Sequence, residues 1–177
     1  MDNFENKVDG KLNIKKLPIN ATKYYRLDHK QDWMLDLLLE LCENMENKEL
    51  EHVLSRASIN ADLEIMKKFN PEYGDYLLVN VQLHANYVTQ CVRTLEEMDE
   101  SVDIDVRASF MSSHLEKTEI FQDQTEMFDS GHMHELYFYD KGIVDLVEMV
   151  HEQIYLNVNE YPVKDEDAPL PGSGTQQ

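Results

Sequence analysis

The chain has 177 residues, the length of one ordinary domain, whose core can form without disulfides or metal. Thirty-five Asp and Glu against 16 Lys and Arg give a formal net charge of −19 at pH 7. Such a surface repels phosphate backbones, so DNA is excluded as a partner and any direct nucleic-acid contact is disfavoured.

Two cysteines, Cys42 and Cys91, are too few for a disulfide framework and read as reduced thiols. No run approaches the roughly 20 apolar residues of a membrane span. The opening Met1-Asp2-Asn3-Phe4-Glu5-Asn6 lacks the basic start and apolar stretch of a secretory signal. A cytoplasmic protein is expected. The charge is uneven, because residues 1–30 carry seven Lys and Arg against four acids, which leaves −22 on the remainder. An acidic body favours basic protein partners or cations, or serves solubility alone.

Residues 1–10 are expected to be flexible. Two short strands are predicted at 11–17 and 22–28, around a turn at Pro18-Ile19-Asn20. Asp28 and Gln31 have the spacing of a capping box. Met34, Leu37, Leu38, Leu41 and Met45 then form one apolar stripe, which predicts a helix over 30–46. Residues 48–55 carry no clear period.

From residue 57 the period becomes two. Ile59, Ala61, Leu63 and Ile65 alternate with polar residues and predict a strand over 57–68. Past the turn chemistry of Asn70-Pro71-Glu72-Tyr73-Gly74-Asp75, strands are predicted at 75–90 and 101–112. One face of each is apolar and the other polar, as antiparallel sheets allow. Residues 113–133 read as a long polar loop and 135–139 as a short aromatic strand. A helix is predicted over 143–156, with Leu146, Val147, Val150 and Ile154 on its stripe. Residues 164–177, charged and then rich in Pro, Gly and Ser, read as a disordered tail. The expected fold is therefore one α+β domain over 11–163. It is a curved antiparallel meander or partly closed barrel with two packed amphipathic helices.

Motifs for catalysis are missing: no phosphate-binding glycine loop, no H-E-x-x-H, no G-x-S-x-G and no C-x-x-C. No catalytic residue and no cofactor are expected. One metal-like cluster stands out, Gly131-His132-Met133-His134-Glu135. In an extended segment His132 and His134 share a face, with His151, Glu148 or Glu152 as a third ligand. The alternative is two exposed histidines in a polar loop, and no metal is expected. Glu96-Glu97-Met98-Asp99-Glu100 reads as a solvated turn, and Tyr137-Phe138-Tyr139 as a half-buried strand without the cations of a base-stacking platform.

Gln90-Cys91-Val92-Arg93-Thr94-Leu95-Glu96, followed by the strand at 102–111, resembles the YceD family, the bacterial large ribosomal RNA subunit accumulation proteins. That family shows C-x-R-C-L-E at a strand end, and Cys91, Arg93, Leu95 and Glu96 match it. A second match runs from Asp140-Lys141-Gly142-Ile143-Val144-Asp145-Leu146-Val147-Glu148 through Glu152-Gln153 to Tyr161-Pro162. Thr94 stands where the second cysteine usually does, so a thiol pair is not available at this place.

The resemblance implies a non-enzymatic role in large-subunit biogenesis and 23S rRNA accumulation. Charge favours a basic ribosomal protein or a pre-50S particle as the partner, and direct rRNA contact is the weaker option. Candidate partner-binding residues are Cys91, Arg93, Leu95, Glu96, Asp145 and Glu152. Arg93 is expected to alternate with Cys91 and Leu95 on one strand face. The alternatives are an acidic adaptor or chaperone for another basic protein, and a metal-dependent enzyme built on His132 and His134.

Overall fold

The structure, a computed structural model, describes residues 3–164. Its strands are β1 (Phe4–Glu5), β2 (Lys11–Asn13), β3 (Thr22–Asp28), β4 (Ser58–Asn70), β5 (Gly74–Gln90), β6 (Glu97–Ser112), β7 (Glu126–Asp129), β8 (His132–Tyr139) and β9 (Ile143–Asp145). Its helices are α1 (Asp32–Leu41), α2 (Leu50–Arg56) and α3 (Leu146–Asn157). The α+β expectation holds. The sheet runs β1-β3-β4-β5-β6-β8-β7, with a separate pair made by β2 and β9.

The period-two pattern explains the centre of this sheet. Register places Ala61 opposite Leu83 and Leu83 opposite Ile104, so the apolar residues of β4, β5 and β6 share one face. That face is covered by helices: Trp33, Met34, Leu37 and Leu38 of α1 and Leu146, Met149, Val150 and Ile154 of α3 belong to the same buried cluster. The opposite face sends Asn60, Gln82, His84, Asp103 and Asp105 to solvent. Strands β3 to β6 form an antiparallel meander, whereas β1 joins β3, and β8 joins β6, in parallel.

Several expectations are corrected. The sheet is open, with β1 and β7 at its two edges, and it does not close into a barrel. A barrel needs its edge strands to pair, and here the edges are occupied by strands of two and four residues. The described residues form three α-helices where two were expected, because residues 50–56 form α2. The predicted 11–17 strand stops at Asn13, where Ile14–Lys16 turns as a 3-10 helix. Helix α1 is shorter than 30–46. Asp28 does not cap it but accepts from Lys30 N at 2.8 Å, and Gln31 turns its side chain to Val8 N at 3.1 Å. Residues 113–133 are no featureless loop: Leu115, Phe121 and Met127 join Tyr76 and Met111 in a second core on the far face of the sheet.

The N-terminal segment is tied down as well. Phe4–Glu5 pairs with Tyr24 and Tyr25, and Val8 is buried. Val8 O accepts from the indole of Trp33 at 2.9 Å, and Gly10 O accepts from Leu146 N at 2.8 Å. Gly10 is required at this approach, since a methyl group there would collide with Cγ2 of Val147. Residues 143–145 pair with β2 before α3 begins. The predicted tail, apart from Lys164, lies outside the described residues. No helix among the described residues is long and apolar enough to cross a membrane.

Candidate partner-binding site

Strand β5 ends at Gln90, and residues 91–95 turn back toward β6. Leu95 N donates to Cys91 O at 2.8 Å and Cys91 N donates to Glu96 O at 2.8 Å, closing the turn on itself. Leu95 takes the left-handed conformation with φ 61°. Cys91, Arg93 and Leu95 therefore do not share a strand face, because hydrogen bonding within the turn replaces the ladder. Leu95 is 64 % exposed, Glu96 is exposed, Arg93 is half-buried, and Cys91 is fully covered.

The segment leaving α3 closes over this turn. Pro162 O accepts from Val92 N at 2.9 Å, Lys164 Nζ lies 3.3 Å from Glu96 Oε2, and Lys164 N approaches Cys91 Sγ at 3.4 Å. The main-chain N–H of Lys164, then the Thr94 hydroxyl and the N–H groups of Thr94 and Arg93, bring the Cys91 thiol down to about 7, against desolvation. Cys91 has no exposed surface, yet the hydrogen bonds to its sulfur outweigh burial.

The other two candidates lie at the start of α3 and on it. Asp145 caps the helix, accepting from Glu148 N at 2.9 Å, and this cap explains why the helix starts at Leu146 and not at Ile143. Glu152, seven residues on, is exposed on the same side of the helix. Helix α3 separates two grooves. The smaller, about 320 Å³, runs between α1 and α3 and brings Val92 and Pro162 of the turn beside Glu40, Glu43 and Glu160. The larger, about 1180 Å³, lies between α3 and β8 and holds both Asp145 and Glu152. His151 and Tyr155 border both. The six candidates thus fall at two places linked by one helix and its exit segment.

The floor of the larger groove is aromatic and ordered. Tyr137 stacks on Phe110 at 5.3 Å between ring centroids. The nearly buried Gln153 donates to Glu135 Oε2 at 2.6 Å and to the Tyr137 hydroxyl at 2.8 Å, fixing a carboxylate and a phenol at the groove wall. Burial first, then Glu152 and Glu135, hold the Tyr137 hydroxyl protonated above the usual tyrosine range, against Gln153. The sequence marks Glu135 only within the metal-like cluster and Gln153 only within the family match, and neither for this contact, because a glutamine on an amphipathic helix reads as surface. Tyr137-Phe138-Tyr139 is half-buried strand, as its pattern predicts.

The histidines do not assemble. His134 is buried and donates from Nδ1 to His132 O at 3.2 Å, and burial lowers its basicity. His132 Nδ1 takes a hydrogen bond from Arg107 at 2.9 Å. His151 instead donates to Glu40 at 2.9 Å, across the α1–α3 groove. Among the described residues no three His, Cys, Asp or Glu side chains converge to hold a metal. The acids at 96–100 are not a solvated turn either. Glu97 accepts from Glu46 N at 2.8 Å and pairs with Arg56, and these two, in that order, hold its carboxyl below the usual range.

No curated protein and no solved structure matches the sequence. The family model described as large ribosomal RNA subunit accumulation protein YceD matches residues 79–177. That span takes in most of β5, the 91–96 turn, β6, β8 and α3, and as it is more than half of the chain, the chain belongs to the YceD family.

Proposed function

We propose that this chain is a non-enzymatic cytoplasmic factor supporting large ribosomal subunit biogenesis and 23S rRNA accumulation, by binding a basic ribosomal protein or assembly intermediate. Family membership carries the reading. Net charge supports the mode: at −19 the surface repels rRNA phosphates and attracts the cationic proteins that pack against them. Support for binding over catalysis comes from how the partnered acids are used. Glu97 fixes α2 to β6, Asp129 holds Lys68, and Asp145 caps a helix.

The test is sucrose-gradient profiling of a deletion strain with 23S and 16S rRNA quantified. Large subunits and 23S rRNA should fall relative to 16S rRNA, and the intact gene should restore them. An unchanged ratio refutes the proposal.

A further inference from the structure

We infer that the groove between α3 and β8 is the docking surface for a Lys- and Arg-rich, partly apolar segment of the protein partner; this rests on the proposed function above. Six carboxylates line the groove, those of Glu116, Glu135, Asp140, Asp145, Glu148 and Glu152, against one cation, Lys11. They surround a floor where Tyr137 and Tyr139 of β8 face α3, and Tyr155 stands 66 % exposed at the rim.

This combination suits long cationic side chains. Their methylene stems lie on aromatic rings while the charged ends reach carboxylates, and a guanidinium gains further from a ring face. Small-molecule pockets run to about 1000 Å³ and are mainly apolar. At about 1180 Å³ with an acidic wall, this groove has room for a peptide segment. Glu135 is already oriented by Gln153, so part of the ordering cost is met before binding. The chain's own residues 165–177 are unsuitable occupants, since they carry Asp165, Glu166 and Asp167 and no Lys or Arg.

The polar face of the sheet is the built-in comparison. Asp103 and Asp105 are exposed there and contribute the same charge without an aromatic floor. Binding governed by global charge alone would treat both faces alike.

The experiment uses the full chain and a labelled synthetic peptide in which Lys and Arg alternate with Leu and Phe. Glu116→Lys with Glu152→Lys reverses one charge on each wall of the groove, and Asp103→Lys with Asp105→Lys makes the same net change on the sheet face. The groove pair should weaken binding about tenfold or more, and the sheet pair by about twofold at most. Circular dichroism must show both variants folded. A glutamine-for-cation peptide should bind neither wild type nor variant, and removal of residues 165–177 should leave affinity unchanged. Equal weakening by both pairs, no weakening by the groove pair, or gain of affinity on removing the tail overturns the docking surface. A deletion strain with normal 23S rRNA would sink the biological role and leave the peptide result standing, so the two failures are distinguishable.

Discussion

Asp129 offers a test of how the 113–133 excursion is held to the sheet. Its carboxylate, 12 % exposed, lies 2.7 Å from Lys68 Nζ and accepts from the Tyr76 hydroxyl at 2.6 Å. Burial pushes this carboxyl up, but Lys68, Ser130 and Tyr76 outweigh it and hold it at about 2, against an ordinary 3.8. A carboxyl lowered on folding stabilises the fold above its unfolded value, and that contribution is lost as pH falls through the folded value. The gap is worth about 2 kcal/mol at neutral pH, and roughly half remains at pH 3.

Asp129→Asn keeps the size and removes the charge. Urea unfolding at pH 7 should show a loss of about 2 kcal/mol, shrinking to about half at pH 3. Direct carboxyl titration by NMR should place Asp129 near 2. Titration near the ordinary value, or a loss that is the same at both pH values, would refute the reasoning.

Gly10→Ala forces a methyl group into Val147 and should cost about 1–3 kcal/mol, read as a lower denaturation midpoint, while Gly74→Ala, with open space around it but φ 76°, tests backbone strain alone. Ultraviolet thiolate absorbance should rise first near pH 7 from Cys91, with Cys42, raised by burial, titrating later, and Cys91→Ser should abolish the early step. The sign follows: Cys91 adds stability as pH climbs from about 7 toward its unfolded value, and none below.

The central meander was legible because its side chains obey one rule. Alternation from Ile59 to Phe110 reports which face is buried, and burial at those positions follows it. Features set by distant partners left no such trace. Phe4 and Glu5 form a strand only because β3 offers an edge, and residues 126–129 become β7 only because β8 turns back beside them. Asp28 looked like a cap because local spacing allows it, yet Gln31 is drawn away by Val8. At residues 91–96 the motif implied a strand where the chain turns, and the positive φ of Leu95 has no glycine to announce it. The groove was half legible: Asp145 and Glu152 fell in it, while Glu135 and Gln153 gain meaning only once β8 and α3 are side by side.

The pairing of β2 with β9 has a kinetic consequence. Lys11 lies opposite Asp145, so about 130 residues separate partners, and closing a loop of that length costs about 4 kcal/mol in chain entropy. Contacts so distant reward the chain only after the intervening elements have ordered. During synthesis, residues 8–14 must wait for α3 to emerge before Gly10 O can accept from Leu146 N and Ile14 N can donate to Gly142 O. Until then the apolar face of β5 and β6 lacks one of its two helical covers. The nascent chain is therefore most exposed to misassociation just before its final quarter is made.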